Sequence, residues 1–309
     1  MASLRGKIFS IILRYRHLLK GQLKSQVIDR NTSIQKLRDD VEKSAAKMAK
    51  IPIGVEIQPA DFPNFYAEWL IPRECKKEQV ILYFHGGGFV MGTSKDHRGL
   101  VAKFVEKCGV QALTFDYSLA PEHPFPAAIN DGVAIYEWLL SSGYQGQNII
   151  IAGDSAGGGI ALSTILVLKD KKLALPAAIV VFSPCTDLTC SGESHKTKAK
   201  LDPATPQGAT ETYTSYYIGE SDPSDPYMSP LFGNLVGLPP LMIQVGENET
   251  LLDDAVRLAK NAENAGVEVQ LHLWEGMFHC FPLMAPMFPE ATQAMNEVCQ
   301  FIQKKLEEK

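Results

Sequence analysis

The sequence predicts an α/β fold, one domain with a mostly parallel central sheet flanked by helices. Two observations carry this. Short apolar runs recur at wide intervals, over residues 80–84, 112–115, 149–151, 179–182, 241–245 and 267–274, and most are continuously apolar, as strands covered on both faces are. Helical patterning occupies 127–140, 160–168 and 253–265 between them, and this alternation favours parallel pairing. A length of 309 residues with 45% apolar side chains suffices for a single large core.

Charge and cysteine usage narrow the partners. A net charge of −5, with both signs interspersed along most of the chain, gives no electrostatic footprint for nucleic acid. The six cysteines, Cys75, Cys108, Cys185, Cys190, Cys280 and Cys299, form no CxxC pair and no zinc spacing. Reduced thiols in a cytoplasmic protein are therefore expected. The apolar run at 8–13 is short and followed by Arg14 and Arg16, and no stretch approaches the roughly 20 residues that span a bilayer.

Two segments break the strand–helix rhythm. Near the N-terminus, Ile8, Ile11, Ile12, Tyr15, Leu18 and Leu19 share one helical face, with Arg5, Lys7, Arg14, Arg16 and Lys20 elsewhere on the helix. Residues 188–227 are rich in Ser, Thr, Lys and Asp and carry Tyr213, Tyr216 and Tyr217 at helical spacing.

The chemistry-bearing residues fall outside these segments. Gly153-Asp154-Ser155-Ala156-Gly157 follows one strand and opens a helix, the setting in which a GxSxG pentapeptide exposes a nucleophilic serine on a sharp turn. Upstream, His85-Gly86-Gly87-Gly88-Phe89 follows another strand. Consecutive glycines let backbone N–H groups converge on an oxyanion, and a phosphate-loop reading fails for want of a GK[ST] ending or a GxGxxG.

A serine hydroxyl needs a base, and the base needs an acid to hold its tautomer. His279 sits beyond the last strand, where a loop carries it over the strand ends. His272 alternates with Glu268 and Gln270 and reads as a solvated strand residue; His17, His97 and His195 lie in polar surroundings, and His123 reads as a turn residue. For the acid, Glu247, Glu249, Asp253 and Asp254 all follow the strand at 241–245. Glu249 is preferred, because Asp253 and Asp254 suit the first turn of a helix, while Asp253 and Glu247 stay as alternatives. Asp154 is expected to point away from the serine.

These motifs resemble the hormone-sensitive-lipase family of esterases, from about Val80 to the C-terminus. His85 to Phe89 is similar to its oxyanion loop, Gly153 to Gly157 to its nucleophile elbow, and Asp116-Tyr-Ser-Leu-Ala-Pro-Glu-His123, Ser183-Pro-Cys-Thr-Asp-Leu188 and Glu275-Gly-Met-Phe-His279 to further signatures. The chain order Ser155, acid, His279 is that of α/β-hydrolases. The resemblance implies an α/β-hydrolase fold over 1–309, with a helical cap from about 1–50 and 188–227. It implies oxyanion N–H groups from Gly87, Gly88 and Ala156, with His85 and Gly86 supporting that loop. Departures are Ser118 for the usual arginine, Cys185 for a frequent aromatic residue, and Glu249 for the commoner aspartate.

The expected activity is carboxylic ester hydrolysis of short to medium acyl chains through an acyl-enzyme, without cofactor or metal. Amide or thioester hydrolysis uses the same residues, and a non-catalytic receptor on this scaffold is opposed by His279. The N-terminal helix is read as a cap element rather than a membrane anchor, with no stable membrane insertion; a homodimer stays open.

Overall fold

The computed structural model describes residues 2–19, 27–48 and 50–308; Lys20 lies outside them. Helices α1 (Leu4–Arg14), α2 (Arg16–Leu19) and α3 (Ile34–Met48) precede strands β1 (Val55–Pro59), β2 (Ala67–Pro72) and β3 (Val80–Phe84). Then come α4 (Ser94–Cys108), β4 (Gln111–Phe115), α5 (Ala127–Ser141), β5 (Ile149–Asp154), α6 (Ala156–Asp170) and β6 (Ala178–Phe182). The chain finishes with α7 (Ser194–Thr197), α8 (Ala209–Ile218), β7 (Leu241–Gly246), α9 (Leu252–Asn264), β8 (Val269–Trp274) and α10 (Pro289–Glu307).

The strands form one sheet in the order β1-β2-β4-β3-β5-β6-β7-β8. All neighbours from β4 to β8 pair in parallel, while β1 and β2 attach antiparallel at one edge. Every residue of β3, β4, β5, β6 and β7 is buried, which explains their mostly apolar character. Their two faces are covered separately. Residues of α5, α6 and α9 such as Ile135, Leu162 and Leu258 pack on one, and residues of α4 and α10 such as Phe104, Val298 and Ile302 on the other.

The sequence reading missed β1 and β2 because they do not look like central strands. Glu56, Gln58 and Glu68 interrupt their apolar residues; Glu68 is buried with Arg98 Nε and Tyr66 O–H each donating to it at 2.8 Å. The expectation of six reduced thiols is also corrected. Cys108 and Cys299, 191 residues apart, meet with Cα atoms 4.7 Å apart and form a disulfide, because α4 and α10 pack side by side on one sheet face.

A further correction concerns α1. Of the apolar face read from its periodicity, Ile8, Ile11, Ile12, Tyr15 and Leu18 are exposed. The helix buries the opposite side instead: Gly6 is buried, and Phe9 and Leu13 pack on a cluster containing Phe278 and Phe288. The larger aromatic surface lies there, so that side wins.

Candidate active site

Five loops leave the carboxyl ends of adjacent parallel strands, where open α/β sheets bind ligands. β3 ends at Phe84 beside Gly153, and β5 ends at Asp154 beside Phe182, so His85, Ser155 and Ser183 emerge next to one another. β7 and β8 end together at Gly246 and Trp274, and Glu249 and His279 lie shortly beyond.

Ser155 sits at φ 54° and ψ −122°, a strained conformation that lifts its side chain off the strand-to-helix turn. The turn is tight enough that a Cβ on Gly157 would lie 2.3 Å from the carbonyl oxygens of Phe84 and His85. Only glycine fits there. The turn is held by Ser155 N–H donating to Phe182 O at 2.9 Å and by Ser155 O accepting from Cys185 N–H at 3.0 Å.

His279 Nε2 lies 3.0 Å from Ser155 Oγ, and His279 Nδ1 lies 3.4 Å from Glu249 Oε2. A carboxylate facing Nδ1 favours the proton on that nitrogen, which leaves Nε2 to accept from the serine hydroxyl. Glu249 is fully buried, and burial raises its carboxyl above the usual range, against the pull of His279 and Ser183. For His279, burial disfavours the imidazolium, but Cys280 and the Glu249 carboxylate favour it, and the net shift is upward.

The competing carboxylates are occupied elsewhere. Asp253 accepts from Ser194 N–H at 2.9 Å, Glu247 from Gly276 N–H at 2.9 Å, and Asp254 from the N–H groups of Thr186 and Asp187 at 2.8 and 2.9 Å. Among the histidines, His272 pairs with Glu297 at 2.6 Å, and His195 is buried with Asp254 as its polar partner at 3.0 Å. His97 stacks near His85, with ring centroids 5.2 Å apart.

Gly87, Gly88 and Ala156 line the cavity next to Ser155. Gly88 has φ 62°, and a Cβ there would lie 2.4 Å from the Tyr213 ring, so this loop and α8 are in direct contact. Behind the loop, Asp154 does point away from the serine: its Oδ1 accepts from Gly86 N–H at 3.0 Å and Tyr83 O–H at 2.8 Å. His85 stacks on Tyr117 at 4.1 Å, and burial, reinforced by His97, pushes its pKa down to about 3. It is therefore neutral, and Nδ1 donates to the Gly86 carbonyl at 2.9 Å.

Sequence reasoning missed the part played by Ser183. Its Oγ donates to Glu249 Oε2 at 2.8 Å and accepts from Cys280 N–H at 3.0 Å, joining the acid to the loop that carries His279. Its place just after β6, in a segment already noted, was the available signal. Cys280 was also unremarked. Its Sγ lies 3.5 Å from His279 Nε2, and burial pushes the thiol up to about 11, against the pull of His279.

A cavity of about 550 Å³ opens over Ser155. Leu37 and Val41 of α3, Met91, Leu100, Tyr213 and Met284 give it apolar walls, and Cys185 reaches it as well. Of the three tyrosines of α8, Tyr217 is core, stacked on Phe89 at 4.2 Å, and Tyr216 O–H donates to Arg30 O at 3.3 Å; Tyr213 alone of them faces the cavity.

Sheet topology and this arrangement of serine, imidazole and carboxylate define an α/β hydrolase. Residues 81–283 match the family model described as the alpha/beta hydrolase fold. The chain is 37% identical over 248 residues to an esterase of Acinetobacter venetianus, covering 80% of this chain and 82% of that one. It is 38% identical over 236 residues to an acetyl-hydrolase of Streptomyces hygroscopicus, covering 76% and 79%. A crystal structure of an esterase from the bacterial hormone-sensitive lipase family superposes with a TM-score of 0.90 at 35% identity, covering 99% of both chains. The chain belongs to the hormone-sensitive-lipase family of α/β hydrolases, and it is a carboxylic ester hydrolase.

Proposed function

We propose that Ser155, His279 and Glu249 hydrolyse esters of short to medium acyl chains through an acyl-enzyme. The observation that carries this reading is the continuous line from Ser155 Oγ to His279 Nε2 at 3.0 Å and from His279 Nδ1 to Glu249 at 3.4 Å. Ser155 Oγ attacks the ester carbonyl while His279 Nε2 takes its proton, and Glu249 stabilises the resulting imidazolium. The N–H groups of Gly87, Gly88 and Ala156 stabilise the oxyanion, helped by the N-terminus of α6. His279 then protonates the departing alcohol. In the second half it activates water, which releases the acid and restores the serine.

The segments 1–50 and 188–227 act as the cap. Leu37, Val41 and Ala45 from the first and Ala209, Thr210 and Tyr213 from the second line the cavity, and this supports the reading. A cavity of about 550 Å³ with largely apolar walls accommodates an acyl chain. The test is Ser155→Ala. It should lower p-nitrophenyl butyrate hydrolysis at least about a thousandfold while circular dichroism stays unchanged. Activity within tenfold of the parent would remove Ser155 from the mechanism.

A further inference from the structure

Helix α1 is amphipathic in the wrong sense for a helix held only by its fold. Phe9 packs on Phe278 and Phe288, with ring centroids 6.0 and 5.2 Å away. Ser3 Oγ donates to Glu290 Oε2 at 2.9 Å, and Arg14 Nη2 donates to the Leu201 carbonyl at 2.7 Å. On the other side Leu4, Ile8, Ile11, Ile12, Tyr15 and Leu18 are each between 47% and 75% exposed. At about 100° per residue the four on α1, Leu4, Ile8, Ile11 and Ile12, fall within roughly a third of the helix circumference, and Tyr15 and Leu18 follow beyond its end. Leu201, also exposed, lies at the segment that Arg14 binds. A contiguous exposed apolar row rimmed by charged residues is the mark of an interaction surface.

Charge singles out the partner. On the same helical wheel, Arg5 borders one side of the row and Lys7 and Arg14 the other, and all three are exposed. Residues 1–28 contain Arg5, Lys7, Arg14, Arg16, Lys20 and Lys24 and neither Asp nor Glu, although the whole chain has 30 basic and 35 acidic residues. The rest of the chain therefore carries 24 basic against 35 acidic residues. A second copy docked on this face would bring cations against cations, with no carboxylate in the segment to pair them. An anionic bilayer satisfies both properties at once.

Against the expectation from the sequence that this helix serves only the cap, we propose that the exposed face of α1 seats the enzyme on the surface of an anionic lipid bilayer. The helix lies parallel to the interface, its apolar row among the upper acyl chains and its bordering cations at the headgroups. Attachment is peripheral: among the described residues no helix is long and apolar enough to cross a membrane. The seat adjoins the cavity, because Arg16, which opens α2 two residues after the end of α1, lines it and donates to the carbonyls of Pro203 and Ala204 at 2.9 and 3.2 Å. Esters dissolved in the lipid thus reach Ser155 by a short path. Only this last step rests on the assigned hydrolysis; the seating does not.

The test is co-sedimentation of the intact protein with vesicles of phosphatidylcholine alone or mixed equally with phosphatidylglycerol. At low salt, the anionic vesicles should bind at least about tenfold more protein than the neutral ones, and added salt should release it. The double substitution Ile8→Glu with Ile12→Glu should reduce that binding at least about tenfold, while hydrolysis of water-soluble p-nitrophenyl acetate in the absence of lipid stays within about twofold. Arg5→Glu with Lys7→Glu, which leaves the apolar row intact, should weaken binding to anionic vesicles at low salt. Wild-type protein left in the supernatant with anionic vesicles would overturn the proposal, as would undiminished binding by the Ile8→Glu, Ile12→Glu variant. So would a dimer in analytical ultracentrifugation that this variant dissolves, with no binding to vesicles, for the occupant would then be a second copy.

Discussion

The carboxyl edge of the sheet and the layer above it solve opposite problems. At the edge, Ser155, Ser183, Glu249 and His279 hang from buried parallel strands, and Gly157 and Gly88 stand where a Cβ would collide with neighbours. Above it, α1 and α3 bury few of their described side chains, and α1 turns an apolar row outward. Bond making requires atoms held to within fractions of an ångström, whereas substrate capture needs only a shaped, partly apolar cover. Damage at the edge should therefore reduce turnover by orders of magnitude, and damage to the cover should change which esters are accepted.

The sharpest contrast lies within one loop and helix start. Glu249→Gln should lower kcat on the order of a thousandfold or more, because the imidazole loses its fixed tautomer, whereas Asp253→Asn should cost less than about tenfold. The comparison breaks if the two effects are reversed in steady-state kinetics. Ser183→Ala comes next. Losing the 2.8 Å bond to Glu249 and the 3.0 Å support of Cys280 should reduce kcat roughly tenfold to a hundredfold with KM little changed. A change confined to KM would place Ser183 in substrate binding instead.

Protonation supplies the third handle. Imidazolium cannot accept the serine proton, so kcat/KM should be low in acid and rise as His279 deprotonates. The upward shift of His279 places this inflection above the ordinary value of 6.5. Removing the carboxylate in Glu249→Gln removes one cause of that shift and should move the inflection down. A pH–rate profile of both proteins decides it.

How far these roles were legible beforehand differs by region. The sheet core was readable because strands buried on both faces are mostly apolar, and the glycines at the edge because close backbone approach leaves no other residue possible. Glu249 was separable from Asp253 by its distance along the chain from β7, a proxy for its position over the sheet edge. Ser183 was not, since a serine's hydrogen-bond partners depend on strands that the sequence does not order. The reading of α1 failed differently. Its periodicity identified a helix with an apolar face but could not tell whether that face was the buried one, and Phe9 and Leu13 on the far side took the packing. Paired cysteines 191 residues apart were equally hidden, because only the packing of α4 on α10 brings them together.

Outside the edge, smaller effects on turnover are expected. Phe9→Ala removes a ring stacked on Phe278, the residue before His279, and should lower kcat a few-fold, as loss of a brace for the loop would. Cys299→Ser should leave turnover at room temperature unchanged while reducing unfolding free energy by about 2–4 kcal/mol, measured by denaturant titration under oxidising conditions. Equal stability of the two proteins would mean that the disulfide contributes nothing to the fold.

The assignment of the sheet edge as the catalytic region is tested most directly by covalent labelling. A fluorophosphonate probe applied to the native enzyme, followed by peptide mass spectrometry, should give one adduct, on Ser155, formed in step with loss of esterase activity. An adduct on any other residue accompanying that loss, or full inactivation with Ser155 unmodified, would contradict the account.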